Sequence, residues 1–397
     1  MIFVFISPNF PDNYYNFVVS LKERGVKVIG IGDTSFLNLR EELKASLEEY
    51  VQTDLNNYLY VKNTIDYIYK KYGFIDFIES NNEYWLELDA KLRTQFNVSS
   101  GLKIDELEKI KRKSRMKECF LNANIKVPRY ILPRDLDAAI QFVNEVGFPV
   151  FVKPDIGVGA QDSHSIKNHR ELELFFIGNP YPNRFIMEEF VDGDLISFDG
   201  IADNESNALF CIKECFKYPG ERVINEDLDD SYYSDPFLDT DFVEIGKRII
   251  KSFNVKKRYF HIELFVLKKD KEGLGKKKDI IGLEVNMRSP GGNTVLLINK
   301  ASGVSTYDLY ADIITTNTCS IDSNRKKCYA ISSSRKDHYN YINSVEDIFS
   351  KYEENIFSYG TYPKEISKMM GDTYFYASFE TLKDLNEFDE FVRKKVK

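Results

Sequence analysis

The chain has 397 residues, of which 43% are hydrophobic and 29% charged, with 21 Gly and 12 Pro. At roughly 150 residues per domain this length predicts two or three domains, and the composition excludes collagen-like, low-complexity and wholly disordered chains. The net charge is −8, from 54 basic and 62 acidic residues, so a phosphate backbone meets no net attraction and we do not expect nucleic acid as the main partner.

The apolar run at the start of the chain, MIFVFI, is followed at once by Ser7 and Pro8 and has no basic region before it. Such a run is too short for a signal peptide or a membrane span, so we expect a cytoplasmic protein with no membrane partner. The chain also carries five scattered cysteines without a CxxC pair: Cys119, Cys211, Cys215, Cys319 and Cys328. We therefore expect reduced, buried thiols rather than a structural zinc site.

Strand and helix signals alternate over the first part of the chain. Strand-like segments are IFVFIS (2–7), VKVIGIGD (26–33) and FIDFIES (74–80), and the segment NYYNFVVSLKERG predicts a helix that ends at Gly25. This alternation predicts a parallel, doubly wound α/β domain over residues 1–104. The turn after the first strand, SPNFPDN, contains no glycine, so the GxGxxG fingerprint is absent and the segment is not a typical NAD-binding half.

The middle of the chain predicts a compact α+β unit. A basic amphipathic helix is expected over 104–124, and a second helix runs from its N-cap Asp135 to Gly147. The strand FPVFVK (148–153), a loop of small residues, a short strand near SHSI, a helix at ELELFF and the strand RFIMEEFV (184–191) follow.

Two long strands come after the strand-like segments ISFDGIA and ALFCIKECF and a helix from about Asp241 to Phe253. They are YFHIELFVL (259–267) and DIIGLEVNMR (279–288), and the basic segment KKDKEGLGKKK between them has the composition of a solvated hairpin loop. The region from about Cys319 onward contains the strand-like CYAISSSR and two helical segments, SVEDIFSKYEENI and LKDLNEFDEFVRKK, and we expect it to form a cap on the preceding domain.

The two long strands carry the most informative pattern. In a symmetric hairpin Glu263 lies directly opposite Glu284, and two opposed carboxylates repel each other unless a cation lies between them. Oxygen ligands of this kind suit Mg²⁺. Alternation places Asn286 and Arg288 on the face of Glu284, and His261, opposite Asn286, is a candidate to support the metal indirectly. An ordinary half-solvated strand is the alternative, and a bulge would shift the register by one residue.

Lys153 ends the apolar strand FPVFVK and precedes the loop DIGVGAQDS. The alternative interpretation is a lysine whose ammonium simply reaches solvent from a buried strand end. The small residues Gly157, Gly159 and Ala160 allow backbone amides to approach an anion, which favours a flap over phosphates. Because a strand rather than a helix follows, this loop is not a Walker P-loop.

The segment MEEFVDGD (187–194) predicts a strand whose end offers backbone groups to an adenine edge and an acidic side chain to ribose hydroxyls. By itself it is an acidic strand end. The order of all these motifs resembles the ATP-grasp superfamily, specifically the branch that contains biotin carboxylase and the carbamoyl-phosphate synthetase large subunit. The resemblance covers roughly residues 105–300, and the preceding segment is similar to the pre-ATP-grasp domain of that family.

The resemblance implies roles for the residues at matching positions. Those that would contact the nucleotide phosphates are Lys113, Lys153 and the flap Asp155–Ala160. Those at the adenine hinge and the ribose are Glu188, Glu189, Val191 and Asp194. The implied metal ligands are Glu263, Glu284 and Asn286. Arg288 corresponds to the arginine held near the transferred phosphate and the acyl group.

The resemblance further implies an ATP- and Mg²⁺-dependent ligase, with Mn²⁺ as an alternative cation, that activates a small carboxylic acid as an acyl phosphate and joins it to an amine or a thiol. Alternatives are a kinase-like enzyme that releases an acyl or carbamoyl phosphate, and a non-catalytic nucleotide-binding regulatory protein. The expected layout is a pre-ATP-grasp domain (1–104), an ATP-grasp domain (105–320, with a lid at about 128–188) and a C-terminal cap (321–397). A homodimer is compatible with the resemblance, but no sequence signal marks an interface.

The sequence departs from biotin carboxylases after Arg288, where the Gln-Val-Glu-His run of those enzymes is missing and the chain reads SPGGNTV. Bicarbonate activation for a biotin carrier is therefore not expected. Gly291 and Gly292 are candidates for a small anion-binding nest, with a simple tight turn as the alternative. Arg335 and His338 in SSRKDHYNY are candidates for the substrate side, with a surface strand and charged tail as the alternative.

Overall fold

The computed structural model describes residues 1–157 and 163–396. Its N-terminal part alternates strands and helices. These elements are, in chain order, β1 (Ile2–Ile6), α1 (Tyr15–Glu23), β2 (Lys27–Gly32), α2 (Glu41–Ser46), β3 (Glu49–Gln52), α3 (Tyr58–Tyr72), β4 (Phe77–Glu79) and α4 (Leu86–Gln95). The strands pair in parallel in the order β3-β2-β1-β4. Since β1 lies between β2 and β4, the loops after β1 and β4 meet at the carboxyl edge, where ligands bind in such sheets.

The strand β1 is buried on both faces, which explains its continuous apolar sequence. Phe5 packs with Phe17 of α1 on one face, and Val4 packs with Ile65 of α3 on the other. The predicted parallel α/β architecture is confirmed. The sequence does not predict β3, because its residues EYVQ are mostly half-buried and lack the apolar run of a central strand.

The middle of the chain forms the predicted compact α+β unit, and its strands form a small antiparallel sheet covered by two helices. Its elements are α5 (Glu108–Lys111), α6 (Lys113–Asn122), β5 (Tyr130–Ile131), α7 (Leu136–Val146), β6 (Val150–Pro154), β7 (His164–Ile166), α8 (His169–Gly178) and β8 (Phe185–Glu189). The strand order is β5-β8-β6-β7, and all pairs are antiparallel. Apolar side chains of α7 and α8 pack against β6 and β8 to form the core of this unit.

The expectation of one continuous helix over 104–124 is wrong. Arg112 has an extended backbone (φ −96°, ψ 118°) and separates α5 from α6. The backbone N–H of Lys113 donates to the carbonyl of Asp155 (2.9 Å), and that of Ser114 donates to its carboxylate (2.8 Å). A partner from a distant segment therefore sets the start of α6, and helical periodicity does not reveal such a partner.

The rest of the chain builds one large antiparallel sheet. Its first elements are β9 (Gly193–Ala202), β10 (Ala208–Phe216), α9 (Gly220–Asn225), β11 (Ser231–Asp235), α10 (Thr240–Phe253), β12 (Arg258–Leu267), β13 (Ile280–Asn286), α11 (Thr294–Ser302) and α12 (Thr306–Thr316). The C-terminal elements are β14 (Tyr329–Arg335), α13 (Val345–Tyr352), β15 (Ile356–Thr361), α14 (Lys364–Met370), β16 (Thr373–Phe379) and α15 (Leu382–Arg393). The strand order is β13-β12-β9-β10-β11-β14-β16-β15.

The C-terminal strands continue this sheet, because β14 pairs with β11. The region expected to be a cap thus shares backbone hydrogen bonds with the strands before it. Helices α6 and α10 pack on one face of the sheet at β9, β12 and β13. Helices α11 and α12, together with α1 of the N-terminal part, pack on the other face. Within the part of the chain that the structure describes, no helix combines the length and hydropathy needed to cross a bilayer.

Candidate active site

The opposed carboxylates predicted from the hairpin are present. Glu263 in β12 pairs with Glu284 in β13, and His261 pairs with Asn286. A bulge does occur, but it lies on the loop side of the glutamates, where Leu264 pairs with Gly282 and the register shifts by one residue. The register of the two glutamates is therefore confirmed, whereas pairs closer to the loop differ from the symmetric hairpin.

The bulge follows from the packing of α6 on the hairpin. A Cβ at Gly282 would lie 2.5 Å from the ring of Phe120, so only glycine permits this close approach. The carbonyl oxygens of Gly282 and Leu283 accept hydrogen bonds from the buried Lys117 ammonium at 3.4 and 3.1 Å. Gly282 is a local sign of this bulge, because a glycine inside a strand often marks one, whereas its contact with Phe120 of α6 comes from another part of the chain.

Both carboxylates lie beside positive charge. The Nζ atom of Lys113 is 3.8 Å from Oε2 of Glu284. Burial by itself raises the pKa of Glu263, but His261, Lys153 and Arg288 together lower it below its usual value, so this carboxyl is ionised. Two opposed carboxyl groups, with the amide of Asn286 two residues along β13 from Glu284, suit a hard divalent cation.

Side chains alone do not complete a metal site. In residues 1–157 and 163–396, no three His, Cys, Asp or Glu side chains are grouped so as to hold a metal ion. A cation at Glu263 and Glu284 therefore needs further oxygen donors, which is typical of Mg²⁺ sites that use substrate phosphates and water.

His261 orients one of these carboxylates. Its Nδ1 atom is 2.6 Å from Oδ1 of Asp199, and its Nε2 atom is 3.3 Å from Oε1 of Glu263. Burial lowers the pKa of His261, but the two carboxylates outweigh burial and raise it to about 10. The imidazolium thus forms ion pairs with both carboxylates and helps to hold Glu263 in position.

Two lysines form ion pairs with the same glutamate of the small sheet. Lys153 Nζ is 3.0 Å from Oε2 of Glu188, and Lys117 Nζ is 2.8 Å from Oε1 of the same residue. All three side chains are buried. Burial raises the pKa of Glu188, but the two ammonium groups outweigh it and lower that pKa to about 2. Burial lowers the pKa of Lys117 to about 8.

Lys117 is a residue that the sequence analysis missed. It lies one helical turn after Lys113 on α6, so the spacing of four residues was the available signal. Lys113 itself is buried, and its ammonium donates to the carbonyl of Gly157 (3.0 Å) at the start of the glycine-containing loop. The structure therefore brings Lys113, Lys153 and Gly157 together, whereas Gly159 and Ala160 lie outside the described residues.

The side chains at the expected adenine hinge point elsewhere. Glu189 is fully buried and pairs with Arg129 (2.7 Å) and Lys271 (3.0 Å). Val191 belongs to a small apolar cluster under the hairpin, and Asp194 forms an exposed ion pair with Lys268 (3.0 Å). At this edge the carboxylates of Glu189 and Asp194 are therefore paired with cations, and Val191 contributes apolar surface.

Arg288 lies in the turn that follows β13. Its Nη1 atom donates to the carbonyl of Ser289 (2.9 Å), and its Nε atom is 3.6 Å from Oε2 of Glu83 in the N-terminal part. Gly292 has φ +58°, and a Cβ at Gly291 or Gly292 would meet nothing within 4 Å. The predicted glycine turn thus has open space beside it. The sequence analysis missed Glu83, because its segment, SNNEYW, carries no motif.

The structure does not bring Arg335 and His338 to this site. Arg335 lies on the opposite face of the large sheet, where its Nε donates to the carbonyl of Val392 in α15 (2.6 Å). His338 is half exposed, and its Nε2 is 2.7 Å from Oδ2 of Asp227. Strand periodicity explains the difference, since residues 331, 333 and 335 share the face that α15 covers.

No protein-family model matches the chain. Among curated proteins it is similar to the carbamoyl phosphate synthase large chains of Clostridium acetobutylicum (20% identity over 263 residues) and Thermoanaerobacter pseudethanolicus (24% over 221 residues). These alignments cover 65% and 54% of this chain, but 23% and 19% of those proteins. The chain thus spans about a fifth of the length of these curated relatives.

Solved structures share the fold over nearly the whole chain. An L-amino acid ligase from Bacillus licheniformis is similar with a TM-score of 0.70 and 15% identity, covering 99% of this chain and 97% of that one. N5-carboxyaminoimidazole ribonucleotide synthetase from Thermotoga maritima is similar with a TM-score of 0.66 and 18% identity, covering 100% of this chain and 99% of that one. The biotin carboxylase domain of Hydrogenobacter thermophilus 2-oxoglutarate carboxylase was solved as a dimer with MgADP, ADP and bicarbonate. It is similar with a TM-score of 0.67 and 14% identity, covering 95% of this chain and 86% of that one. These proteins are ATP-grasp ligases, and the chain has their fold.

Proposed function

We propose that this chain, which has the ATP-grasp fold, is an ATP- and Mg²⁺-dependent ligase that activates a small carboxylic acid as an acyl phosphate and joins it to an amine or a thiol. One observation carries this proposal. Two lysines, two opposed glutamates, an asparagine and an arginine from four separate segments meet at one end of the β12–β13 hairpin: Lys113, Lys153, Glu263, Glu284, Asn286 and Arg288.

Glu263, Glu284 and Asn286 are the residues that would hold the metal ion, with Mn²⁺ as an alternative to Mg²⁺. The opposed carboxylates and the absence of a third acidic or histidine ligand among the described residues fit a cation that also takes phosphate oxygens. When bound, such an ion neutralises phosphate charge and polarises the phosphoryl group that is transferred.

The positive side chains offset the repulsion between ATP and the carboxylate substrate, which are both anionic. ATP carries about four negative charges and must meet an anionic carboxylate, so a site without cations repels both. At an effective dielectric constant near 20, each close pair of opposite charges contributes about 4 kcal/mol before desolvation. Lys113 and Lys153 are buried and lie near Glu284, and Arg288 is close enough to lower the pKa of Glu263.

The reaction that fits this arrangement has two steps. A carboxylate oxygen of the acid attacks the γ-phosphorus, and the bond to the bridging oxygen of ADP breaks. The nucleophile then attacks the carbonyl carbon of the acyl phosphate, and phosphate leaves with the electron pair of the carbon–oxygen bond. Two of the similar structures are named as an L-amino acid ligase and an N5-carboxyaminoimidazole ribonucleotide synthetase, and these names support a ligase.

The test is release of ADP and phosphate from MgATP with a pooled panel of carboxylic acids, with and without amines and thiols. We expect release that requires an acid and rises at least tenfold with a nucleophile. Glu284→Gln is expected to abolish this release at unchanged circular dichroism, whereas Glu272→Gln, in the exposed hairpin loop, serves as the matched control. Full activity of Glu284→Gln would contradict the site. Release with acid alone would favour a kinase-like enzyme, and ATP binding without release would favour a regulatory protein.

A further inference from the structure

Three segments meet where the N-terminal sheet approaches the turn that carries Arg288, and a Cβ at Gly291 or Gly292 in that turn would meet no atom within 4 Å. The segments are the loop after β1 (7–14), the loop after β4 (80–85) and the turn 288–293, and we refer to the place where they meet as the switch-point crevice. The Tyr14 hydroxyl donates to the carbonyl of Asn81 (2.6 Å) and lies 3.2 Å from the Ser289 hydroxyl. These contacts join all three segments at the carboxyl ends of β1 and β4, the usual ligand position in a parallel sheet.

Two buried acceptor atoms facing the turn have no donor. Oε2 of Glu83 has no hydrogen bond although its side chain is only 14% exposed, because its distance of 3.6 Å to Nε of Arg288 is too long. On the other side of the turn, Asn13 donates from Nδ2 to the carbonyl of Gly292 (3.3 Å), while its Oδ1 is unpartnered. Asn81, in the loop after β4, likewise has an unpartnered Oδ1 and an unpartnered Nδ2. Buried polar groups are normally hydrogen-bonded, so Glu83 and Asn13 have room for a ligand that donates.

The charges around the crevice show which donor fits. Arg288, Lys113 and Arg258 all act on the ionisation of Glu83, so this carboxyl lies among the cations of the proposed phosphate site. Those cations repel an ammonium group. Of the acids near Arg288, Glu263 and Glu284 are the proposed metal ligands, which leaves Glu83 to compensate a cationic substrate.

The two loops also limit what the ligand carries. Neither SPNFPDNY (7–14) nor SNNEYW (80–85) contains a lysine or an arginine. Among the three segments the only cation is therefore Arg288 in the turn. Since the proposed function assigns Arg288 to the transferred phosphate and the acyl group, the loops favour an amine without a further anionic group.

We propose that the switch-point crevice binds a primary amine as the second substrate, with the Glu83 carboxylate holding its ammonium group and accepting a proton from it. This inference rests on the proposed function and selects an amine over a thiol as the nucleophile. Burial raises the pKa of Glu83, with Glu284 adding to the effect and Arg288 opposing it, and a raised pKa suits a group that accepts a proton.

The step balances as follows. One ammonium proton passes to Glu83, and the nitrogen lone pair forms the C–N bond at the acyl carbon. The carbon–oxygen bond to phosphate breaks, and phosphate takes the electron pair and the second proton. Glu83 then returns its proton to solvent.

The first test compares two nucleophiles in wild type, Glu83→Gln and Glu83→Asp. Hydroxylamine is uncharged near pH 7 and traps an acyl phosphate as a hydroxamate, whereas an alkylamine arrives as ammonium. We expect Glu83→Gln to lower the ratio of amide to hydroxamate at least tenfold, and Glu83→Asp to recover part of it. A proportional loss of both products would show that Glu83 only positions Arg288, and would overturn the proposal. Glu87→Gln, an exposed acid in α4, is the control.

The second test does not depend on turnover. Binding of a pool of primary amines to the protein with MgADP is followed by ligand-observed NMR. We expect at least one amine to bind to wild type and to Glu87→Gln, and its affinity to fall at least tenfold in Glu83→Gln. If no acid supports ADP release, the proposed function fails, but this measurement still shows whether the switch-point crevice binds an amine. No bound amine, or binding that Glu83→Gln leaves unchanged, would overturn the inference.

Discussion

At the scale of single residues, the site is built from buried charges whose partners come from distant segments. Glu188 is the clearest case, since it joins Lys117 of α6 to Lys153 of β6 within 3.0 Å of each ammonium. The sequence identifies Lys153 and Glu188, but as contacts to different parts of a nucleotide. Their pairing depends on how α6 packs against the small sheet, and Lys117 becomes visible only through that packing.

Arg335 provides a prediction at this scale. Its guanidinium is buried, donates to α15 and lies 4.4 Å from the ring centroid of Tyr341, so we expect a structural role. Arg335→Ala should lower the free energy of unfolding by about 1–3 kcal/mol, measured by urea denaturation, and leave the KM of the acid unchanged. Arg222→Ala, which removes an exposed guanidinium on α9, is the control. A raised KM at unchanged stability would instead support the substrate role that the sequence suggested.

At the scale of elements, irregularities in regular structure place the catalytic candidates. The break at Arg112 lets α6 begin at Lys113, so the lysine extends from a helix start into the site. The bulge at Leu283 leaves the glutamate pair in register while the hairpin adapts to Phe120. Both irregularities occur at contacts between distant segments, and the hydrophobic periodicity of the sequence does not predict such contacts.

Asp155 tests the importance of the helix start. Its carboxylate accepts hydrogen bonds from the backbone and the hydroxyl of Ser114 at 2.8 and 3.1 Å. Asp155→Ala should cost about 1–2 kcal/mol of stability, as for other lost helix caps, and should raise the KM for ATP because the first turn of α6 holds Lys113.

The matched control is Asp135→Ala, which removes a similar cap at the start of α7, where the Asp135 carboxylate accepts from the N–H of Ala138 (2.8 Å). Stability is measured by urea denaturation and the KM from ADP release. Equal KM values for ATP in the two variants would show that the cap does not position Lys113.

At the scale of the whole molecule, buried ions join the N-terminal part to the large sheet. Glu79 at the end of β4 accepts from Arg93 in α4 (2.8 Å) and from Arg258 in β12. Both arginine side chains are almost fully buried. Breaking such a network leaves an uncompensated charge, which costs several kcal/mol, so these ions hold the end of β4 against the start of β12.

Asp89 makes this junction sensitive to pH. Its carboxyl is buried beside Glu79 and accepts from the Ser80 hydroxyl (2.6 Å). Burial, with Glu79 adding to it, raises the pKa of Asp89 to about 8. The folded protein then holds a proton that the unfolded chain has lost, so stability falls as pH rises from about 4 to about 8, by at most about 1.4 kcal/mol per pH unit for one proton.

Urea denaturation of wild type and Asp89→Asn between pH 5 and 8 tests this junction. We expect the stability of wild type relative to Asp89→Asn to decrease with pH across that range. Glu87→Gln is a suitable reference, because Lys111 and Lys91 lower the pKa of Glu87 to about 2 and it does not titrate there. Parallel curves for wild type and Asp89→Asn would contradict the assignment.

The sequence by itself determined the features that depend on neighbours along the chain. Apolar strand segments that alternate with helical segments specify the parallel sheet, and two long strands joined by one polar loop specify the hairpin. The pairing of Glu263 with Glu284 also depends on the bulge at Leu283, which shifts the register set at the loop by one residue. Only the tertiary structure decided which distant groups meet. Glu83 lies beside Arg288, Lys117 forms an ion pair with Glu188, and Arg335 donates a hydrogen bond to α15. The physical reason is that periodicity and turn length encode local geometry, whereas contacts between separate segments depend on how whole helices and sheets pack.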